Sequence, residues 1–215
     1  MITRIILADD HLIVREGLKK IIEHDLNMSV VAQASDGRTA VELVREHRPD
    51  VVIMDIGMPG LNGIEATRTI KQEFPSIKVI ALSMYTERNI VADMLSAGAS
   101  AYLLKDSAPD ELEQAIGCVL KNKKYISPNI AGVVVDDYIH NLDENKNKVM
   151  PELTHKEREV LQLLAEGKTI RDIAGIMFVS MTTIETHKQH IMEKLNLHSI
   201  AELTKYAIRE GITSL

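Results

Sequence analysis

The feature that most constrains the fold is the alternation of short β-branched runs with amphipathic helical stretches over the first 127 residues. Such alternation is typical of parallel strands joined by crossover helices. It predicts an α/β doubly wound, five-stranded parallel sheet, in which ligands bind just beyond the carboxyl ends of the strands. The predicted strands are Arg4 to Ala8, Ser29 to Gln33, Val51 to Met54, Lys78 to Leu82 and Ala101 to Leu104.

The pattern changes beyond residue 127. The run NLDENKNKVMP, from Asn141 to Pro151, is rich in Asn and charge and lacks apolar periodicity, as in a solvated linker. The preceding stretch from Ile130 to Ile139 fits either a short helix or an extended strap. Only helical patterns follow Pro151. We therefore expect three regions, which are an α/β domain over 1–127, a linker over 128–150 and an all-helical domain over 151–215.

Composition places the chain among ordinary globular proteins, since 45% of its 215 residues are hydrophobic and 26% are charged. No apolar run approaches the roughly 18 residues that a membrane-spanning helix requires, and the single cysteine, Cys118, allows no internal disulfide. These features predict a cytoplasmic protein without a membrane partner. The formal charge of −6 divides into −3 over 1–127, −2 over 128–149 and −1 over 150–215. None is the footprint of a bulk electrostatic DNA binder, so DNA binding requires a local motif.

Acidic side chains follow two strands that we expect to be neighbours. Asp9 and Asp10 end the first strand and Asp55 ends the third. At about 4 Å and an effective dielectric constant near 20, two such carboxylates repel by roughly 4 kcal/mol, so a divalent cation such as Mg²⁺ is expected between them. Ser83 and Lys105 end two further strands and suit a phosphoryl group. Each aspartate alone is more typical of a turn or helix cap, and Ser83 and Lys105 alone carry even less information, but the joint placement of all five favours a functional site.

These residues resemble the receiver domain of bacterial two-component response regulators, whose sheet is of the flavodoxin/CheY type. The similarity covers residues 1 to about 120 and rests on Asp9-Asp10-His11, Asp55-Ile56-Gly57-Met58-Pro59-Gly60, Gly63, Ser83, Tyr102 and Lys105. It implies that Asp55 is the phosphoacceptor. It further implies that Asp9, Asp10, Asp55 and the Gly57 carbonyl bind Mg²⁺, and that Lys105 and Ser83 contact the phosphoryl group.

The resemblance also suggests a conformational switch made by Ser83 and Tyr102. In this interpretation Tyr102 turns inward once Ser83 moves toward the phosphate. An ordinary half-buried strand aromatic is an equally good interpretation of Tyr102 on the sequence alone. His11 is assigned no chemical role, because it is expected near the first turn of the following helix.

The helical region contains a helix-turn-helix pattern, whose second motif helix normally enters the major groove. Thr154 and Glu157 predict a capping box at its first helix. Further helices are predicted from Ile170 to Met177, from Thr182 to Leu195 and from Ser199 to Glu210, with a tight turn at Phe178 to Met181. The region is similar to the LuxR-type DNA-binding domain of the NarL/FixJ family, and the match extends to about Ala207.

The predicted third helix of this region has an outward polar face that fits double-stranded DNA. Lys188 suits a phosphate contact, Gln189 suits adenine and Glu185 suits the amino group of cytosine. A solvated helix face is the alternative, and Glu185 equally fits a capping box with Thr182. The full set of candidate DNA-contacting residues is Ser180, Thr182, Thr183, Glu185, Thr186, Lys188 and Gln189.

The last helix places Ile200, Leu203 and Ala207 on one face. The resemblance implies that this face dimerises the DNA-binding domain, although it equally fits packing on its own domain. Together the motifs predict a phosphorylation-controlled transcription regulator that is not an enzyme beyond slow self-dephosphorylation. Its expected partners are a sensor histidine kinase, double-stranded DNA and a second copy of the chain.

Two other functions remain open from the sequence. A Mg²⁺-dependent phosphatase with an aspartyl nucleophile would use nearly the same chemistry at Asp55, but the short strand-end loops offer no pocket-forming cap. A DNA-binding protein with a phosphorylation-independent docking module would not need the complete acidic set.

Overall fold

The computed structural model describes residues 2–135 and 153–213, which belong to two compact units divided between Asn145 and Lys146. The first unit is built on a parallel sheet of strand order β2-β1-β3-β4-β5-β6. The strands are β1 (Thr3–Ala8), β2 (Met28–Ala34), β3 (Val51–Asp55), β4 (Lys78–Ser83), β5 (Ala101–Leu104) and β6 (Tyr125–Ile126). The doubly wound fold is confirmed, and the sheet gains a sixth strand that is too short to produce an alternating pattern.

Helices cover both faces of the sheet. They are α1 (Leu12–Ile22), α2 (Gly37–His47), α3 (Gly63–Glu73), α4 (Arg88–Ser96) and α5 (Ala108–Leu120). A further helix, α6, begins at residue 128 and is described as far as residue 135. The stretch from Ile130 to Ile139 is therefore helical as far as residue 135, in agreement with the helical alternative. Residues 136–139 lie outside the described residues.

Two hydrophobic cores lie on opposite faces of the sheet, because successive side chains of a strand point to opposite faces. On β1, Ile6 and Ala8 join a core with residues of α2, α3 and α4, whereas Ile5 and Leu7 join a core with residues of α1 and α5. Ile130 of α6 is fully buried in the first of these cores. The chain therefore remains packed on the sheet after β6.

The second unit is helical throughout its described residues, 153–213. Its helices are α7 (His155–Ala165), α8 (Ile170–Met177), α9 (Met181–Leu195) and α10 (Ile200–Arg209). Thr154 and Glu157 form the predicted capping box at α7. Gly167 has φ of +80°, and Phe178 ends α8 with φ of 56°. Across the described parts of both units, every helix is too short or too polar to cross a bilayer.

Candidate functional site

Asp9, Asp10 and Asp55 meet at the carboxyl edge of the sheet. Asp55 ends β3 and Asp9 follows β1, and these two strands are paired neighbours. Asp9 and Asp55 are only 2% and 4% exposed, whereas Asp10 faces solvent. One oxygen of each carboxylate and a ring nitrogen of His11 all lie within 4.8 Å of one another. Two acidic groups are thus held side by side with almost no access to water.

Lys105 offsets this negative charge. Its Nζ lies 2.7 Å from Asp9 Oδ2 and 2.8 Å from Asp55 Oδ2. Burial raises the pKa of Asp55 above its ordinary value, although the hydrogen bond from Lys105 acts in the opposite direction. Burial alone would lower the pKa of Lys105, but its hydrogen bonds and attraction to Asp55 and Asp9 raise it. The ammonium group is therefore held in its charged form between the two buried carboxylates.

The loop that follows β3 is held close to Asp55 by a glycine. A Cβ at Gly63 would lie 1.9 Å from the Asp55 carbonyl oxygen, so any other residue would displace the backbone. Gly63 N donates to the Ile56 carbonyl over 3.0 Å. Gly57 N lies 3.4 Å from Asp55 Oδ1. This packing keeps Gly57 next to the acidic cluster.

Ser83 and Tyr102 both contact Tyr85. Ser83 ends β4 and is fully buried, and its Oγ accepts a hydrogen bond from Tyr85 N over 2.9 Å. The hydroxyl of Tyr102, on the neighbouring strand β5, donates to the Tyr85 carbonyl over 2.9 Å. Tyr102 is fully buried, so the half-buried alternative is wrong. Burial raises the pKa of Tyr102 to about 12, and the side-chain hydrogen bond with Ser83 opposes this rise.

His11 contacts the acidic cluster, although no chemical role is predicted for it from the sequence. Its Nδ1 lies 2.7 Å from Asp10 Oδ1 and 3.2 Å from Asp9 Oδ1, and its backbone N donates to Asp9 Oδ1. The sequence signal for this contact was the position of His11 directly after Asp9 and Asp10. Sequence adjacency alone does not show where the ring of a helix N-cap residue points.

The carboxylate oxygens suit a hard divalent cation. Mg²⁺ prefers octahedral oxygen ligands at about 2.1 Å, so opposite ligands stand about 4.2 Å apart. The oxygens of Asp9, Asp10 and Asp55 lie within 4.8 Å of one another, so small movements would bring them around such an ion. Because the donors are mainly carboxylate oxygens, the cluster fits Mg²⁺.

A partly buried ion pair holds the first and third helices of the second unit together. Glu157 on α7 is 4% exposed, and its Oε2 accepts from Lys194 Nζ on α9 over 2.7 Å and from Thr154 N over 2.7 Å. Burial would raise the pKa of Glu157, but the hydrogen bonds from Lys194 and Thr154 lower it below its ordinary value. This pair fixes α9 against the core, while the opposite side of α9 faces solvent.

Helix α9 begins one residue earlier than predicted. Ser180 is its N-cap, with Oγ accepting from Thr183 N over 3.1 Å. Thr182 therefore lies within the helix, and the proposed capping box between Thr182 and Glu185 is wrong. Ser180 outcompetes Thr182 because its backbone is extended, with ψ of 152°, as an N-cap requires.

The polar side of α9 is accessible. Ser180, Thr182, Thr183, Glu185, Thr186 and Gln189 are exposed, and Lys188 is half-buried. Gln189 Nε2 donates to Glu193 Oε1 over 2.9 Å, and the Thr186 hydroxyl donates to the Thr182 carbonyl. The buried residues of α9, Ile184 and Ile191, lie on its other side.

An apolar turn adjoins this face and was not selected from the sequence. Phe178 is 93% exposed, Met181 49% and Val179 37%. Apolar residues are normally assigned to a core, so only their position in the turn of the helix-turn-helix could have indicated their exposure.

Helix α10 packs on its own unit. Leu203 and Ala207 are fully buried in the core of the second unit, mainly against α7, whereas Ile200 is 40% exposed. In this structure Leu203 and Ala207 therefore pack on their own domain, which was the alternative to dimerisation. Of the three residues assigned to dimerisation, only Ile200 is accessible to a partner.

Comparisons with known proteins agree with this architecture. Residues 5–117 match the response regulator receiver domain, and residues 151–207 match the luxR family of bacterial regulatory proteins. The chain is 39% identical to the oxygen regulatory protein NreC of Staphylococcus haemolyticus over 213 residues, which cover 97% of this chain and 98% of that protein.

Two solved structures show the same similarity. The LuxR-family two-component response regulator from Aurantimonas sp. SI85-9A1 is 40% identical, with a TM-score of 0.62, and the match covers 65% of this chain and 99% of that one. The response regulator RcsB, solved as a complex with DNA, is 30% identical, with a TM-score of 0.60 and coverage of 96% and 98%.

A doubly wound sheet with an acidic strand-end cluster, followed by a helix-turn-helix unit, defines a regulator controlled through its α/β domain. The chain belongs to the two-component response regulators that join a receiver domain to a luxR-type domain. It is a phosphorylation-controlled transcription regulator.

Proposed function

We propose that Asp55 accepts a phosphoryl group and that this modification alters DNA binding by the helical unit. The observation that carries the first part is the position of Lys105, whose Nζ bridges the buried Asp9 and Asp55 carboxylates. Phosphoryl transfer needs an in-line nucleophile and positive charge around the equatorial oxygens, with little else from the protein. Asp55 supplies the nucleophile and Lys105 supplies part of the charge.

In the proposed reaction an Asp55 oxygen attacks the phosphorus of the donor. The bond between phosphorus and the leaving atom of the donor breaks, and the leaving group departs on the side opposite Asp55. Lys105 exchanges its hydrogen bond to Asp55 for one to a phosphoryl oxygen and keeps its contact with Asp9. Asp9, Asp10, Asp55 and the Gly57 carbonyl would hold Mg²⁺, which would supply the remaining neutralising charge.

The proposed switch runs through Ser83 and Tyr102. Ser83 Oγ accepts a hydrogen bond from Tyr85 N, and the Tyr85 carbonyl accepts one from the Tyr102 hydroxyl. When the Ser83 side chain moves toward the phosphoryl group and donates to it, Ser83 Oγ leaves Tyr85 N, and its side-chain hydrogen bond with Tyr102 is lost as well. Because Tyr102 is already inside the protein, the modification changes its contacts rather than its burial.

The proposed DNA contact is the exposed side of α9. Solvent exposure of Ser180, Thr182, Thr183, Glu185, Thr186 and Gln189 supports this assignment. We assign Lys188 to a phosphate, and Glu185 and Gln189 to base edges in the major groove. The related RcsB has been solved with DNA, which supports double-stranded DNA as the partner of this chain. Dimer formation through α10 would involve Ile200, with Leu203 and Ala207 supporting it from beneath.

The proposal includes the remaining partners and the domain boundaries. A sensor histidine kinase or a small phosphodonor would load Asp55, and the modified chain would act as a homodimer in the cytoplasm, where its DNA lies. We expect no catalysis beyond slow self-dephosphorylation. The receiver would occupy 1–127 and the DNA-binding domain 151–215. The linker over 128–150 would begin with α6, which packs on the receiver.

The decisive test replaces Asp55 with Ala and follows incorporation of labelled acetyl phosphate in the presence of Mg²⁺. We expect complete loss of stable labelling in Asp55→Ala, because the nucleophile is gone. Asp106→Ala, which removes an exposed carboxylate next to Lys105, serves as the matched control and should be labelled normally. Persistent labelling of Asp55→Ala would falsify the assignment, and many turnovers on small phosphate esters would favour a phosphatase instead.

A further inference from the structure

The described start of the linker is joined to the switch residue Tyr102 by backbone contacts. Ile126 pairs with Tyr102 across β5 and β6, and Ser127 N donates to the Tyr102 carbonyl over 2.9 Å. The Ser127 carbonyl in turn accepts from Ile130 N and Ala131 N in the first turn of α6. One residue, Ser127, therefore connects the backbone of Tyr102 directly to helix α6.

A single carboxylate on α5 fastens this junction. Glu111 Oε1 accepts from Ser127 Oγ over 3.1 Å, and Glu111 Oε2 accepts from the Tyr125 hydroxyl over 3.1 Å. Ser127 is fully buried, so its hydroxyl has little access to water as an alternative partner. Hydrogen bonds to a charged acceptor are stronger than those between neutral groups. Burial and the bond to Glu111 also raise the pKa of the Tyr125 hydroxyl.

The junction needs such a fastening because β6 is short. This two-residue edge strand pairs with β5 only at Ala101 and Tyr102, and the bonds from Tyr125 N to the Ser100 carbonyl and from Ser127 N to the Tyr102 carbonyl flank that short ladder. Edge strands with so few ladder bonds fray readily. Without the two hydroxyl contacts, a movement of Tyr102 would be lost in the loosened edge of the sheet.

Helix α6 also shares a hydrophobic core with Tyr102. Ile130 and Tyr102 are both fully buried in the hydrophobic core that includes Ile90, Val91 and Met94 of α4. A change in the packing of Tyr102 therefore reaches α6 both through β6 and through this core.

We propose that Glu111 is a positioning residue that couples the state of Tyr102 to helix α6 and hence to the linker. Its carboxylate holds Tyr125 and Ser127, so that β6 and α6 move with β5 as one element. The inference rests on the proposed function, because it presumes that phosphorylation is read through Tyr102 and changes DNA binding. Glu111 touches neither the phosphate nor DNA in this mechanism.

The experiment measures how strongly phosphorylation and DNA binding are coupled in the full chain. Beryllofluoride with Mg²⁺ serves as the acyl phosphate mimic, and the DNA is a duplex selected from a random pool by the beryllofluoride-loaded wild-type protein. A typical coupling of about 5- to 150-fold in DNA affinity is expected for the wild type. In Glu111→Ala, which removes both acceptors, we expect the ratio of DNA affinities with and without beryllofluoride to fall below about 3-fold, while the affinity for beryllofluoride in the absence of DNA stays within about 3-fold.

Two further variants separate coupling from folding. Tyr125→Phe with Ser127→Ala removes both hydroxyl donors, keeps Glu111, and should reproduce the loss of coupling. Glu113→Ala removes an exposed acid on the same helix and should keep the wild-type ratio. Hydrogen exchange should show faster exchange of the α6 amides in Glu111→Ala and in Tyr125→Phe with Ser127→Ala, with unchanged protection of β1 and β3.

The outcomes are distinguishable. A wild-type ratio retained in Glu111→Ala, with or without faster exchange in α6, overturns the role of Glu111 and leaves the proposed function standing. A wild-type protein whose DNA affinity ignores beryllofluoride overturns both. Equal loss of coupling in Glu113→Ala shows a general effect of charge on α5 and also overturns the specific role of Glu111.

Discussion

The acidic edge of the sheet and the exposed side of α9 hold their polar groups in opposite ways. At the sheet edge, Asp9 and Asp55 are almost fully buried and share Lys105 across two strand ends. On α9 the polar groups face solvent, and their described contacts run along the helix itself, from Gln189 to Glu193 and from Thr186 to Thr182.

This difference follows from the size and charge of the expected partners. A small, highly charged group is best stabilised by groups fixed in advance in a site that excludes water. A polyanionic duplex is met by an accessible surface whose side chains adjust to the backbone and to base edges. Substitutions at the sheet edge should therefore change folding as well as chemistry, whereas substitutions on α9 should change binding alone.

Replacing Lys105 with Ala should have the largest effect, and it tests whether the buried charges at the sheet edge contribute to folding. It leaves two buried carboxylates without their cation, and breaking a buried ion pair typically costs about 3–5 kcal/mol. We expect the free energy of unfolding to fall by about that amount in urea denaturation without Mg²⁺, and to recover partly when millimolar Mg²⁺ is added.

Lys123→Ala provides the control for Lys105, since Lys123 is an exposed lysine of the same unit. Its effect should stay within about 0.5 kcal/mol. Equal losses in the two variants would mean that the buried charges at the sheet edge do not depend on Lys105.

Glu157→Gln tests whether a buried carboxylate in the helical unit contributes to stability as those of the receiver do. Hydrogen bonds to charged groups contribute about 1.5–3 kcal/mol, so we expect a loss of about 2 kcal/mol at pH 7. Hydrogen exchange of the α7 amides in increasing urea measures the loss for this unit. Glu185→Gln, on the exposed side of α9, should leave it unchanged.

The Glu157 contribution should also depend on pH in a defined direction. Because the folded-state pKa lies below the ordinary value of 4.5, the stabilisation is present above pH 4.5 and disappears as the pH falls through the folded-state pKa. The difference between the wild type and Glu157→Gln should therefore shrink in acid. A difference that grows below pH 4.5 would contradict the assignment.

Lys188→Ala should produce the smallest effect, and it tests whether α9 is a binding surface. Removing one phosphate contact should weaken binding to all duplexes alike and make the slope of log affinity against log salt shallower by about 0.9. Gln189→Ala is the contrasting variant, which should reduce discrimination at one base pair by about 1–3 kcal/mol and leave the slope unchanged. Loss of helix content in Lys188→Ala would show that this lysine supports folding instead.

Features encoded within short segments could be predicted from the sequence. The five main strands follow from β-branched runs, and the capping box of α7 follows from the spacing of Thr154 and Glu157. The meeting of Asp9, Asp10 and Asp55 also follows, because parallel neighbours end at the same edge.

Features that depend on packing between distant segments could not be predicted. Strand β6 has only two residues and forms because β5 offers an open edge. Ser180 and not Thr182 is the N-cap of α9, because the turn leaves the backbone extended at Ser180. Leu203 and Ala207 fit either a dimer or their own core until the position of α7 is known.

The sequence by itself determined the order of strands and helices, the residues at the strand ends and the polar side of α9, because hydrophobic periodicity and capping act over a few residues. Only the tertiary structure decided that Lys105 bridges Asp9 and Asp55, that Tyr102 is fully buried and that Glu111 holds Tyr125 and Ser127. These contacts join residues far apart in the chain, and packing of the whole unit selects them from many that local preferences would allow.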